Sequence, residues 1–271
     1  MRGCQNGYVA VCKTAHGSST LPPRSICDLM FNINEDLAEE TGIHVGDGCM
    51  NYYPRQRQNY IKYVGDLEEM NSYGKHIINL LNKIYNPNHI FISINQKNTN
   101  CYKIVLISKD ILEFKRDTLH LPLGKKSKIE VPEIILNSDK LFKSFIRGFF
   151  DTDGSLWFEK RHSTYCYPKF KIENKSKKVI LQCAKRLEEL GFRISVSLNL
   201  KNYIDKKCFI THRLVLCGTN NLKKWNNEIG FKNSKHNTKY LVWKKYGVCP
   251  PRTKIIDRLD ILKGKKNINE M

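Results

Sequence analysis

The sequence is short of acidic residues, long apolar runs and paired cysteines. Its 271 residues include 26 Asp and Glu against 46 Lys and Arg, which gives a formal net charge of +20 at pH 7. We find no apolar run long enough to span a bilayer and no signal-like apolar core at the N-terminus, so we expect neither a membrane protein nor a secreted one. The ten cysteines form no Cys-x-x-Cys pair. This spacing argues against a structural zinc site and favours reduced thiols in an intracellular compartment: the cytoplasm, the nucleoid or an organelle matrix.

Two short segments of the chain share an outline. Residues 41–48 read TGIHVGDG and residues 147–154 read RGFFDTDG, so each has a glycine five positions before an Asp-Gly pair. The glycines at 42 and 148 are 106 positions apart, and so are Asp47 and Asp153. A glycine after a helix is a common stop signal, and one match alone would mark only a helix end. Two matches at this offset indicate a duplicated domain that brings two carboxylates to one place.

Small residues recur at every fourth position before each aspartate. They are Ala38, Gly42 and Gly46 in the first copy and Ser144, Gly148 and Thr152 in the second. Residues four apart share one face of a helix, so each helix has a smooth stripe along which another backbone can approach. Glycine inside a helix costs roughly 1 kcal/mol relative to alanine, and close packing of the two stripes would compensate for that cost.

The duplication extends beyond these motifs. The matched pairs are amphipathic helices at 76–85 and 182–191, strands at 104–107 and 214–217, and helix caps at Ser108 and Thr219. The sequence therefore predicts an α+β fold of two pseudo-symmetric αββαββα repeats, each of about 100 residues. We expect an N-terminal extension at 1–35, repeats at 36–133 and 134–246, and a basic C-terminal tail at 247–271.

The positive charge favours a polyanionic partner, and nucleic acid fits better than an anionic membrane surface. Basic and amide side chains crowd the expected hairpins, and the residues at 194–201 alternate between apolar and polar. Such side chains can contact phosphates and purine edges, and a two-stranded ribbon fits the major groove. The predicted contacts are Arg55, Gln56, Arg57, Gln58, Lys62, Lys160, Arg161, His162, Lys169, Lys171, Ser195, Ser197, Asn199 and Lys201.

These segments resemble the LAGLIDADG homing endonucleases, in the single-chain form with two motifs. Residues 37–48 are similar to the first motif, residues 145–156 are similar to the second, and residues 123–132 resemble the usual approach to the second motif. The resemblance covers about residues 36–246. The first copy departs from the pattern at Glu39, Glu40 and His44, where apolar residues are usual. We expect His44 to be a satisfied core or interface residue rather than a metal ligand.

The resemblance implies a fold and an activity. Motif helices would pack at the interface between repeats, and two saddle-shaped antiparallel sheets would lie on double-stranded DNA. Asp47 and Asp153 would be the catalytic carboxylates that bind Mg²⁺ or Mn²⁺, and Gly46 and Thr152 would lend backbone carbonyls. Cleavage of a long target site by a monomer would leave short 3′ overhangs. We expect Asp151, the extra acid of the second motif, to point away from the metal.

The resemblance also implies a lysine from each half near the site. In the second half the candidate is Lys235, and in the first half it is either Lys125 or Lys126. Two other functions stay open at this stage: an RNA maturase that binds its host intron, and a DNA-binding regulator that no longer cleaves. A regulator of this kind usually loses one of the acids. Both are present here, which favours the endonuclease.

Overall fold

A computed structural model describes residues 31–95, 100–205 and 207–268. Residues 1–30 of the predicted N-terminal extension lie outside the described residues. Within the described ranges, none of the helices combines the length and the apolar character needed to cross a bilayer.

The first half has the predicted order of elements. Helix α1 (Glu35–Gly46) is followed by strands β1 (Gly48–Tyr53) and β2 (Gln58–Asp66), helix α2 (Leu67–Tyr85), strands β3 (Phe91–Asn95) and β4 (Cys101–Ile107), and the short helix α3 (Lys109–Glu113). A single π-helical turn, Phe114–Thr118, extends α3. The αββαββα prediction is therefore confirmed for this half.

The second half repeats the order. After the one-turn helix α4 (Glu133–Leu136) come α5 (Asp139–Asp153), β5 (Gly154–Arg161), β6 (Thr164–Asn174), α6 (Lys177–Glu189), β7 (Ile194–Ile204), β8 (Lys207–Cys217) and α7 (Thr219–Glu228). Two further helices follow, α8 (Ser234–Tyr246) and α9 (Ile255–Leu262). Part of the predicted basic tail is therefore helical. Arg258 and Ile261 of α9 are buried, so this helix belongs to the packed body of the protein.

Each half contains a four-stranded antiparallel sheet, in the order β1-β2-β4-β3 or β5-β6-β8-β7. Alternate side chains of each strand point into the core, as the twofold period of a strand requires. In the second sheet Leu156, Phe170 and Leu214 are fully buried. The intervening residues lie on the opposite face, which we call the outer face of the sheet.

The helix boundaries follow from local capping. Ser108 caps α3 by accepting a hydrogen bond from the amide of Ile111 at 3.3 Å, so this predicted cap is confirmed. The predicted cap at Thr219 is wrong. The helix instead begins after Gly218, which has a φ of 89° and no side chain with which to cap. This left-handed φ favours glycine, which is why the boundary lies one residue earlier than predicted.

Helices α1 and α5 pack against each other along the small-residue stripes. A Cβ added to Gly42 would lie 2.0 Å from the carbonyl oxygen of Phe145, and one added to Gly148 would lie 2.2 Å from the carbonyl oxygen of Glu39. Both neighbours are backbone atoms that cannot move aside independently. The predicted close approach of the motif helices is confirmed, and it brings the C-terminal ends of both helices together.

Candidate active site at the ends of the paired helices

The two predicted aspartates lie where the paired helices end. Asp47 is the C-terminal cap of α1, and its amide donates to the carbonyls of Ile43 and His44. Asp153 is the last residue of α5, and its carboxyl carbon lies 3.5 Å from where a Cβ of Gly46 would stand. Helix packing thus places one carboxylate from each half at a common centre.

Burial and mutual repulsion disfavour two negative charges at this centre. Burial and then the charges of Asp153 and Glu69 raise the pKa of Asp47 to about 7, against opposing effects of Lys126 and Lys235. Burial also raises the pKa of Asp153, although a hydrogen bond from Asn174 acts in the other direction. A bound cation would therefore favour the ionised form of both aspartates, as expected when carboxylates share a low-dielectric site.

The structure distinguishes the two candidate lysines of the first half. Lys126 reaches the C-terminus of α1, where its ammonium donates to the carbonyl of Val45 at 3.0 Å and to that of Gly46. Burial lowers the pKa of Lys126, while the charges of Asp153 and Asp47 act to raise it. Lys125 is exposed and lines a cavity that Lys126 and Asp153 also line. Lys126 is therefore the lysine of this half whose ammonium lies at the site.

Lys235 of the second half is held by an acid of the first. Its ammonium lies 3.0 Å from Glu69 Oε2, and Glu69 also accepts from the side-chain amide of Asn233. Glu69 lies in the first turn of α2, and it is not among the residues predicted from the sequence. Only its place beside Glu68 in the first turn of this helix could have drawn attention to it. The site therefore has a third acid, contributed across the interface between the halves.

The two aspartates have different polar neighbours. Asn174, at the end of β6, donates to Asp153 Oδ2 at 2.7 Å. The equivalent position of β2 is Gly65, because Ile172 pairs with Gly154 as Tyr63 pairs with Gly48. Gly65 lies close to Asp47 Oδ2, at 4.0 Å from its would-be Cβ, but has no side chain to donate. Gly65 therefore gives Asp47 no counterpart of the hydrogen bond that Asn174 donates to Asp153.

The donor set fits a hard divalent cation that keeps most of its water. In the described part of the chain, no three His, Cys, Asp or Glu side chains are grouped to hold a metal. Mg²⁺ characteristically uses one or two protein carboxylates together with waters and substrate phosphates. Two half-buried carboxylates of raised pKa, Asp47 and Asp153, match that requirement. The carbonyl of Gly46, a predicted ligand, accepts from Lys126 here, and Thr152 directs its hydroxyl to the carbonyls of Gly148 and Phe149.

Asp151 has a structural role apart from this centre. Its buried carboxylate accepts from the amides of Lys232 and Asn233, at 2.7 and 3.1 Å, just before α8 begins. Burial raises the pKa of Asp151 to about 8, although these two amide bonds act to lower it. The carboxylate is directed at the start of α8, away from the Asp47 and Asp153 pair, as expected for this extra acid.

The unusual acids of the first motif have buried partners. Glu39 accepts from Arg147 of α5 and lies 2.7 Å from His76 Nε2, so it joins the two motif helices by an ion pair. Glu40 accepts both Lys115 hydrogen bonds, at 2.8 and 2.6 Å, and a hydrogen bond from Tyr85. Lys115 and Glu40 are both fully buried. These departures from the motif are therefore compensated in the fold.

His44 is buried in the core, where its ring meets the edge of Tyr63 with centroids 5.8 Å apart. Its Nδ1 has no hydrogen-bond partner among the described residues, so the expectation of a satisfied histidine is wrong in that detail. Burial lowers the pKa of His44 well below its usual value, with Lys115 and Lys126 acting in the same direction. The ring is neutral and packs as part of the core.

The predicted DNA contacts of the first half lie on one hairpin. Arg55 and Gln56 are in an exposed helical turn, Pro54–Gln56, that joins β1 to β2, and Arg57 ends it with a φ of 51°. Gln58 and Lys62 are on the outer face, since the intervening Ile61 is buried. The sheet therefore presents all five predicted side chains along the tip and outer face of this hairpin: Arg55, Gln56, Arg57, Gln58 and Lys62.

The predicted contacts of the second half do not all lie on one face of the sheet. Lys169, Lys171, Ser195 and Ser197 lie on the outer face, as their strand partners show. Lys160 and Arg161 end β5, and His162 follows in the turn. Asn199 lies in a register irregularity with a φ of 58°, and Lys201 pairs with Ile210 on the opposite face. The β7 irregularity, which alternation alone does not reveal, separates Lys201 from Ser195 and Ser197.

Comparisons with known proteins agree with this architecture. The family model of the LAGLIDADG-like domain matches residues 143–230, within the second half. I-DmoI in complex with DNA and Mn has the same fold, with a TM-score of 0.51, 17% identity, and coverage of 73% of this chain and 98% of that one.

Two proteins of Methanocaldococcus jannaschii are similar in sequence. One is a replication factor C small subunit, 26% identical over 226 residues, or 83% of this chain and 11% of that protein. The other is the uncharacterized protein MJ0314, 25% identical over 187 residues, or 68% of this chain and 65% of that protein. This chain thus spans less than two thirds of the length of either relative.

Proposed function

We propose that this chain, in which residues 143–230 match the LAGLIDADG-like domain and which has the fold of I-DmoI, is a site-specific endonuclease that cleaves both strands of duplex DNA. The observation that carries the proposal is the pair of half-buried carboxylates, Asp47 and Asp153, at the ends of two helices in close contact. Two basic sheets flank that pair. I-DmoI, whose fold this chain shares, was crystallised with DNA and Mn, which agrees with the proposed partner and cofactor.

In this proposal Asp47 and Asp153 would hold Mg²⁺ or Mn²⁺ beside the DNA backbone. When bound, such a metal activates water and stabilises the leaving oxygen of a phosphodiester. The protein's own part is electrostatic. Burial makes it costly to ionise both Asp47 and Asp153, and a bound cation would remove that cost. Each half contributes one acid, so each acid would serve one strand, and the staggered cuts would leave short 3′ overhangs.

The lysines complete the charge balance of the site. Lys126 and Lys235 place an ammonium from each half close enough to the aspartates to oppose the rise in the pKa of Asp47. Beside a bound duplex, these ammonium groups would stabilise the negative charge that develops on the phosphate oxygens. Glu69 holds Lys235 at 3.0 Å, which keeps this ammonium near the centre before DNA arrives. A single chain contains both halves, so we expect the active form to be a monomer.

Loss of cleavage on neutralising either acid tests the proposal. The substrate is the duplex made by joining the exon DNA on either side of an intron that contains the gene, because the joined exons restore the uninterrupted target site. With Mg²⁺, we expect Asp47→Asn and Asp153→Asn to bind that duplex and fail to cut both strands. Asp117→Asn removes an exposed carboxylate remote from the site and serves as the matched control.

Other outcomes separate the alternatives. Binding of the duplex without any cutting by the unaltered protein would favour the DNA-binding regulator. Tight binding of intron RNA that survives both substitutions would favour the maturase. Retained cutting by both variants would refute the assignment of Asp47 and Asp153.

A further inference from the structure

A polar cluster on the outer face of the second sheet surrounds one acid, Glu173. Its carboxylate accepts from Lys171 at 2.8 Å, from the Thr211 hydroxyl at 2.7 Å, and from Arg213 Nε at 3.0 Å. Asn202 adds a longer bond of 3.2 Å. Burial alone would raise the pKa of Glu173, but the bonds from Lys171, Thr211 and Arg213 outweigh it and lower the pKa to about 2. This acid is ionised and fully occupied by donors of the protein itself.

The cluster is next to the candidate active site. Glu173 directly precedes Asn174, which donates to Asp153. Glu173, Asn174 and Thr211 also line the cavity that contains Asp153 and Lys126. A duplex whose phosphate reached Asp153 would therefore present its neighbouring base pairs to this part of the sheet.

Arg213 is oriented by this cluster and, among the described residues, has N–H donors that meet no partner. Its Nε and Nη2 both contact Glu173 Oε2, at 3.0 and 2.9 Å. These two contacts along one edge of the guanidinium fix the orientation of its plane. Arginine has five N–H donors, and the edge formed by Nη1 and Nη2 keeps two parallel donors. The side chain is 33% exposed on the outer face, where its strand neighbour across β7 is Ser197.

We infer that Arg213, oriented by Glu173, is a specificity-determining residue that reads one guanine close to the scissile phosphate of the second half. Two parallel donors match the O6 and N7 acceptors of guanine, the commonest specific contact made by arginine in the major groove. A fork fixed in advance loses less conformational freedom on binding than a free side chain. The inference rests on the proposed DNA-binding function. It does not rest on cleavage.

The competing explanations are a phosphate contact and an ion pair that only stabilises the sheet. A phosphate contact needs charge but no fork, so lysine would replace arginine with little change in base preference. A purely structural ion pair would leave base preference unchanged in every variant that folds. The two explanations therefore predict different behaviour from Arg213→Lys than base reading does.

The test measures base preference by binding, so that it does not depend on cutting. Duplexes are selected from a randomised pool by the unaltered protein, and binding is then measured for all four bases at each position of the selected sequence. We expect one position close to the centre, on the side bound by the second half, to prefer guanine by roughly 5- to 150-fold. Arg213→Lys should abolish that preference and leave the preferences at other positions intact. Glu173→Gln should weaken the preference at the same position.

Arg116→Lys is the matched control, since Arg116 makes a two-bond ion pair with Asp117, at 2.6 Å each, in the π-helical turn that extends α3 rather than in a strand. It should leave every preference unchanged. An unchanged guanine preference in folded Arg213→Lys, or a uniform loss across all positions, would overturn the inference alone. A protein that selects no duplex at all would overturn the proposed function together with the inference.

Discussion

Replacement of Asp47 by asparagine should stabilise the metal-free protein, and the gain should depend on pH. Burial and the charges of Asp153 and Glu69 raise the pKa of Asp47 from 3.8 to about 7. The unfolded chain therefore releases this proton near pH 4, whereas the folded protein holds it until about pH 7. Between those values the folded state binds more protons, so the free energy of unfolding falls as pH rises.

The size of the effect follows from that shift. One pKa unit corresponds to 1.36 kcal/mol, so a shift of roughly three units gives an upper bound of about 4 kcal/mol. Asparagine keeps the shape of the side chain without the charge, and so it escapes this cost at any pH. We expect the variant to be more stable than the unaltered protein by about 2–4 kcal/mol at pH 8, with the difference vanishing towards pH 4.

Urea unfolding in metal-free buffer between pH 4.5 and 8.5 measures this difference directly. Asp117→Asn replaces an exposed acid. The difference in free energy of unfolding between this variant and the unaltered protein should stay constant across that pH range. An Asp47→Asn variant that is no more stable than the unaltered protein at pH 8 would contradict this prediction. So would a gain that grows as the pH falls.

Three other predictions follow from the packing and the charges. Mg²⁺ should raise the thermal midpoint of the unaltered protein more at pH 8 than at pH 5, and should have little effect on the Asp47→Asn, Asp153→Asn double variant; equal shifts in both proteins would place the metal elsewhere. Gly42→Ala should cost about 1–3 kcal/mol of stability in urea unfolding, because its methyl group would lie 2.0 Å from the Phe145 carbonyl oxygen, whereas Gly74→Ala in α2 meets only a tyrosine side chain at 3.3 Å and should cost less. Lys115→Met should destabilise the protein by about 3–5 kcal/mol by leaving Glu40 buried without its cation, and adding Glu40→Gln should restore part of the loss; an unaffected single variant would contradict the ion pair.

The repeat itself carried most of the prediction of the fold and of the catalytic pair. A glycine and an aspartate recurring at the same offset located both motif helices, because the sequence of a close helix contact is restricted to small residues at Gly42 and Gly148. The same periodicity predicted the order of elements in both halves. Local hydrogen bonding fixed the cap at Ser108, while the left-handed φ of Gly218 displaced the cap expected at Thr219.

Contacts between segments that are distant in the chain could not be predicted from the sequence. Lys125 and Lys126 are adjacent in the chain, and only the path of their loop directs Lys126 to the end of α1. Glu40 looked like a defect in the motif because Lys115, its partner, is 75 residues away. Glu69 acts across the interface between the halves, and no periodicity marks such a pairing.

Mapping both cut positions on the joined-exon duplex, with each strand labelled in turn, tests the central claim most directly. If Asp47 and Asp153 each serve one strand, the unaltered protein with Mg²⁺ will cut both strands at fixed positions and leave a short 3′ overhang. A duplex that is bound and left intact on both strands would contradict the account.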